Sequence, residues 1–174
     1  MSGVTTVIHG PRPPEVEALI QRRHALGQDL LDEIWEGTYH MVPGPHPRHA
    51  NVQGQVLTLL REPAERAGLV LLGGPFNLGE PDDFRVPDGG IVVPPVDATF
   101  LPTACVVVEV LSPDDETYTK FGFYARHEVD CIVVADPETR TIQVFERAGD
   151  HYLERPEIPQ ITSARFLQDM TRWP

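Results

Sequence analysis

Four charged side chains stand where their neighbours are apolar or structural, and together they could do phosphoryl chemistry. Asp88 follows Pro87 inside the stretch 86–93, which otherwise reads as a strand. Glu109 interrupts Val106-Val-Val108 and Val110-Leu111. Lys120 lies on the segment directly after Glu109's strand, and Glu36 lies on an early one. A carboxylate in the middle of a buried strand is costly unless it is paired or bound to a metal. Two of them on consecutive strands would repel each other, and a divalent cation would relieve that repulsion by taking both as oxygen ligands. Such an ion polarises a phosphoryl oxygen and lowers the pKa of water. A nearby lysine can orient or deprotonate that water and stabilise charge developing on phosphate. The plainer reading pairs Glu109 with Lys120 as a simple ion pair and puts Asp88 in a turn. Spacing alone leaves both open.

The elements that must position these groups follow from periodicity. Residues 1–14 read as a flexible N-terminal arm closing on Pro11-Arg-Pro-Pro14, and 15–32 carry apolar residues at helical spacing, with Gly27 against the pattern. Residues 34–42 read as one strand, and Pro47 opens a helix whose stripe is Val52, Val56, Leu59 and Leu60, with Gly68 as its stop. Strands are expected at 69–72, extending towards Leu78, then at 86–93 and 105–111, with an acidic turn at 79–84. The third is apolar on both faces except for Glu109, which marks a central strand. Asp115 or Thr117 would cap a helix running to His127, followed by strands at 131–135 and 141–146. Beyond Arg155 the pattern fades, and Phe166, Leu167 and Met170 mark either a final helical turn or an arm. The order is helix, strand, helix, three strands, helix, two strands, with no internal repeat and one domain in 174 residues.

Val86-Pro-Asp88, Val107-Val-Glu-Val-Leu-Ser-Pro113, Lys120-Phe-Gly-Phe-Tyr124, residues 129–137 ending in Asp136-Pro137, and Thr141–Phe145 resemble the Uma2 family, also called DUF820, a group of proposed restriction endonucleases with the PD-(D/E)xK nuclease fold. Trp35-Glu-Gly37 and His49 resemble that family's early strand and helix start. The resemblance implies an α/β fold with a restriction-endonuclease-like mixed central sheet flanked by helices. The domain would run over 15–155, with 156–174 as its C-terminal extension. It implies Asp88 and Glu109 as metal ligands for Mg²⁺ or Mn²⁺, the Val110 carbonyl as a third ligand, Lys120 as the catalytic lysine and Glu36 as an auxiliary acid. It implies that His49 lines the cleft. Tyr124, four residues after Lys120, could contact the site or the substrate, the plainer reading being a half-buried packing residue. Two departures stand out: the general pattern places the lysine two residues after the acid, where this chain has Leu111, and Gly89-Gly90 follow Asp88 where β-branched residues are usual. The glycines would loosen the strand or admit a close ligand.

The expected function is a metal-dependent endonuclease hydrolysing DNA phosphodiester bonds, acting as a homodimer by analogy with nucleases of this fold. Two alternatives are a non-catalytic protein-interaction domain that retains the fold and a hydrolase of a smaller phosphate ester. The formal charge of −12 favours the first alternative, since nucleic-acid binders usually carry a basic footprint. Arg22, Arg23, Arg48, Arg61 and Arg66 are the candidate phosphate-backbone contacts. Other chemistries lack their signatures. Ser112 has no nucleophile-elbow glycines, Asp114-Asp115-Glu116 lack the ligand spacing of an EF-hand, and no Walker A or dinucleotide-binding glycine pattern occurs, so no nucleotide cofactor is expected. His46 and His49 read as surface or capping residues. Cys105 and Cys131 read as reduced strand thiols. No apolar run is long enough for a membrane span, and the N-terminus lacks a signal-peptide pattern, so the expected location is cytoplasmic.

Overall fold

A computed structural model describes residues 5–112 and 116–174. The helices are α1 (Pro14–Ala25), α2 (Pro47–Arg66), α3 (Phe121–Arg126) and α4 (Ala164–Met170), and a 3-10 turn at Thr117–Lys120 leads into α3. The strands are β1 (Thr6–Ile8), β2 (Glu33–Trp35), β3 (Thr38–Met41), β4 (Val70–Leu72), β5 (Asn77–Glu80), β6 (Asp83–Arg85), β7 (Gly89–Val92), β8 (Phe100–Leu101), β9 (Val106–Val110), β10 (Cys131–Asp136), β11 (Thr141–Ala148), β12 (His151–Arg155), β13 (Glu157–Ile158) and β14 (Thr162–Ser163).

The main sheet has the order β12-β11-β10-β9-β7-β4. It is mixed: β9 runs parallel to β10 and antiparallel to β7. Every residue of β9 is buried, as its unbroken valines require of a strand covered on both faces. Strand alternation divides those residues between two cores. Val106, Val108 and Val110 pack with Val52, Val56 and Leu60 of α2. Val107 packs on the other side with Phe123 and Tyr124 of α3. Glu109 shares the face of Val107, so it points towards α3. A second sheet, β1-β3-β2-β6-β5-β8, carries Glu33 and Trp35.

Several elements differ from the sequence expectation. The expected strand 34–42 is a hairpin, because Glu36 and Gly37 both take positive φ (50° and 84°), as a tight primed turn requires. The acidic turn at 79–84 is the hairpin of β5 and β6, whose turn is only Pro81-Asp82. The strand expected from Val86 begins at Gly89, leaving Asp88 in the bend before it. Helix α1 stops at Ala25, since Gly27 at φ 61° ends the helical pattern. The arm expected to be flexible contains β1, which pairs antiparallel with β3. The strand after Thr141 continues to Ala148 and turns back as β12. At the C-terminus, α4 buries Leu167 in the α2-side core. Asp114 and Asp115, expected in a helix-capping acidic turn, lie outside the described residues.

Gly89 and Gly90 serve packing rather than ligand approach. A Cβ at Gly89 would meet Leu57 Cδ2 at 2.5 Å, and one at Gly90 would meet the Val106 carbonyl at 2.7 Å and Phe76 at 2.9 Å. The pair lets β7 lie tightly between α2 and its neighbours.

Candidate active site

Asp88 is held at the entrance to β7 by three contacts. Its Oδ2 accepts the Val110 N–H at 2.7 Å, and its Oδ1 lies 3.0 Å from His49 Nε2. Its carbonyl accepts Gln53 Nε2 at 2.6 Å. The histidine is itself held from its other side, its Nδ1 lying 3.0 Å from Ser112 Oγ. A neutral His49 that donates from Nε2 accepts the serine hydroxyl at Nδ1, so this chain fixes the carboxylate's direction. His49 and Gln53 reach the site because they lie four apart on one face of α2, His49 being buried in the first turn. His46 is the helix N-cap, accepting from the Arg48 N–H at 3.2 Å.

Glu109 is 4% exposed in the middle of β9. Tyr124 donates its hydroxyl to Glu109 Oε1, and Lys120 Nζ lies 3.4 Å from the same oxygen. Among the described residues, both hydrogen bonds to this carboxylate converge on Oε1. Lys120 and Tyr124 are four apart across the junction of the 3-10 turn and α3, which brings both over one strand position. The displaced lysine thus reaches back to the strand acid. It is also the chain's single lysine.

The nearer partner of Lys120 is a residue that sequence reasoning missed. Glu33 Oε1 accepts Lys120 Nζ at 3.0 Å and the Val86 N–H at 2.7 Å, while its Oε2 accepts Trp35 Nε1 at 2.6 Å. Trp35 in turn lies against Arg85, whose guanidinium is 4.6 Å from the indole and 4.0 Å from the Phe123 ring. The expected auxiliary acid, Glu36, is not in this cluster. The primed turn carries it to the hairpin tip, where it is 71% exposed and pairs with Arg126 at 3.0 Å. Reading 34–42 as one continuous strand hid the Glu36-Gly37 turn. Recognising that dipeptide as a turn signal would have ended the strand at Trp35 and placed Glu33 on the same face as Trp35.

The electrostatics follow from burial and an excess of acids. Burial pushes the Glu109 carboxyl up to about 8; the charges of Asp88 and Glu33 add to the effect, while Lys120 and the Tyr124 hydrogen bond oppose it. Burial works against the Lys120 charge, but Glu109 and Glu33 outweigh it and hold the ammonium above its ordinary value. Tyr124 is raised well above its ordinary value, first by burial and then by Glu109, so it remains a donor. The two acids thus favour the charged form of Lys120.

The residues suit an ion that asks little of the protein. Among the described residues no three His, Cys, Asp or Glu side chains form a metal-binding group by themselves. An all-protein cage of the zinc kind is thus not built. Mg²⁺ binds through one or two carboxylates and keeps several waters, which Asp88 and Glu109 can supply. The described contact of Val110 with the site is its N–H on Asp88.

The expected phosphate-contacting arginines do not gather at this site. Arg23 pairs with Asp32, Arg61 with Glu65 and Arg66 with Glu62. Arg48 donates to the Pro137 carbonyl at the end of β10. Cys131 is buried and Cys105 half-buried, and both are free thiols. Burial pushes Cys131 up to about 12 and Cys105 upward as well, which leaves them unreactive.

An acid at the mouth of one strand, a second on the central strand beside it and a lysine on the following helical segment come together in a mixed α/β fold. The fold is similar to the crystal structure of a putative nuclease belonging to DUF820 from Anabaena variabilis. The TM-score is 0.64 at 17% identity, over 80% of this chain and 90% of that one. The model of the Uma2 family, described as putative restriction endonuclease, matches residues 16–171, and the chain belongs to that family. No curated protein matches the chain. Among the described residues no helix is long and apolar enough to cross a membrane.

Proposed function

We propose that this chain is a metal-dependent endonuclease that hydrolyses DNA phosphodiester bonds. The observation that carries the reading is the imbalance at Lys120: Glu33 and Glu109 both pair with its one ammonium, the charge of Asp88 acts on the same cluster, and burial pushes the Glu109 carboxyl up. A Mg²⁺ or Mn²⁺ ion at Asp88 and Glu109, with the Val110 carbonyl as a further ligand, would supply the missing positive charge and the Lewis acidity for phosphoryl chemistry.

The chain's own residues then divide the work. Asp88, held by Val110 and His49, and Glu109, held by Tyr124, present their oxygens without needing to reorganise. Lys120, kept charged and anchored by Glu33, offers its ammonium to charge developing on the phosphoryl oxygens and orients the attacking water. Glu33 and Trp35 act through Lys120 as positioning residues. Tyr124 stays protonated and fixes Glu109. The reading extends to a homodimer, in which two such sites would address two strands, and sedimentation velocity gives that mass directly.

The test is conversion of supercoiled plasmid with Mn²⁺ by wild type, Asp88→Ala and Lys120→Ala. Cleavage confined to the wild type supports the assignment. Cleavage that survives both substitutions places the activity elsewhere.

A further inference from the structure

An acidic chain that acts on a polyanion must draw ground-state affinity from something other than a basic surface, and the arginines nearest α3 are already committed. Arg126 pairs with Glu36, and Arg85 pairs with Asp83 between two rings. Beside the site, however, lies a set of aromatic side chains. Tyr118 sits two residues before Lys120 in the same 3-10 turn and is 49% exposed. Its ring centroid is 5.4 Å from that of Phe121 and 6.3 Å from that of Phe145, and Phe121 also meets Tyr152 at 5.4 Å. Phe121, Phe145 and Tyr152 pack onto the α3-side core, so the outer ring rests on a firm base. The Tyr118 hydroxyl donates to Gln143 Oε1 at 3.1 Å, which fixes its direction.

Sheet register gives the distance from the chemistry. Val134 of β10 pairs with Glu109 on one side and with Gln143 of β11 on the other. Cross-strand partners point to the same face, and strands lie about 4.8 Å apart, so Gln143 is roughly 10 Å from Glu109 along one face of the sheet. Tyr118, bonded to Gln143, therefore stands within the reach of a nucleotide flanking a phosphate bound at Asp88 and Glu109.

We propose that Tyr118, supported by Phe121, Phe145 and Tyr152, is a stacking platform for an unpaired nucleobase next to the scissile phosphate, so that the strand engaged at the site is locally single. The inference rests on the nuclease reading above. Stacking is sequence-tolerant and needs no basic groove, since every base presents a π-face, and this suits a chain of net charge −12.

The test measures binding separately from cleavage. Fluorescence anisotropy with fluorescein-labelled dT₁₂ and with a blunt duplex, in Ca²⁺, compares wild type with Tyr118→Leu, Tyr118→Phe and Tyr118→Trp, each first checked for wild-type thermal unfolding. The expected result is dT₁₂ bound more tightly than duplex, a Kd raised about 10-fold in Tyr118→Leu, and affinity rescued by Phe and Trp. The inference is overturned by absence of dT₁₂ binding, by preference for duplex, by an unchanged Kd in Tyr118→Leu, or by Tyr118→Phe falling as far as Leu. The nuclease reading fails by a different result, plasmid cleavage that ignores Asp88 and Lys120.

Discussion

Asp32 and Glu109 are both buried carboxylates facing a tyrosine hydroxyl and a basic side chain, in two parts of the molecule. At Asp32, Arg23 Nε and Nη2 donate to Oδ2 at 3.0 and 2.8 Å, and the Tyr39 hydroxyl donates there at 2.9 Å. The Val42 N–H donates to Oδ1 at 2.9 Å. One acid meets one bidentate cation and both oxygens are occupied, an arrangement that pins α1 and the β2–β3 hairpin together. At Glu109 one lysine serves two carboxylates, both described hydrogen bonds fall on one oxygen, and burial pushes the carboxyl up to about 8. The first site is complete as it stands. The second is short of positive charge, which is the imbalance the proposed divalent ion would relieve.

The contrast is broken most severely by exchanging the fates of the two acids. Glu109→Gln is expected to lower Mn²⁺-dependent cleavage about 10³-fold, while the metal-free protein keeps its stability at neutral pH and gains relative to wild type above about pH 8, where wild type must ionise a buried, under-paired carboxyl. Asp32→Asn is expected to do the reverse, costing about 3 kcal/mol in urea unfolding while the folded fraction keeps its turnover. Plasmid assays beside denaturation curves check both. A loss of stability in Glu109→Gln as large as that in Asp32→Asn would erase the distinction.

Lys120→Met should cost about 10²-fold in cleavage rate, and Glu33→Gln should cost less, because Trp35 and Val86 still hold that side chain while the ammonium keeps Glu109. Equal losses from both would make Glu33 a participant rather than a positioning residue.

The pH dependence sharpens the contrast further. The folded state holds a proton on Glu109 more tightly than the unfolded chain does. The resulting stability is fully present below the ordinary carboxyl value of 4.5 and is lost as pH rises through about 8. Metal-free wild type should therefore lose a few degrees of Tm across that interval relative to Glu109→Gln, and saturating Mn²⁺ should remove the difference. The smallest effect is spectroscopic. With a single lysine in the chain, the ¹⁵Nζ signal needs no assignment, and it should titrate above the ordinary lysine value in wild type and move down in Glu33→Gln.

The parts of the site legible in the sequence were those whose environment is local. Glu109 stands out because a charge inside Val106–Val110 has no apolar excuse, and Lys120 with Tyr124 follows from helical spacing after that strand. His49 entered through resemblance, although its place on the α2 stripe with Val52 and Val56 puts it on the buried face. Glu33 was missed because its role depends on a tight turn and on packing between two sheets: only the closed hairpin puts Trp35, Val86 and Lys120 around it. The glycines after Asp88 misled for the same reason, since the groups that exclude a Cβ there belong to α2, Phe76 and β9. Short strands such as β1, β5 and β6 lack enough residues to show alternation, and pairing decides them.

The central claim is that Asp88 and Glu109 form a site for one divalent ion while Asp32 does not. Mn²⁺ titration followed by electron paramagnetic resonance tests it without requiring a substrate. One bound ion per chain is expected in wild type and Asp32→Asn, with binding lost in Asp88→Asn and Glu109→Gln. Equal Mn²⁺ binding by wild type, Asp88→Asn and Glu109→Gln would contradict it.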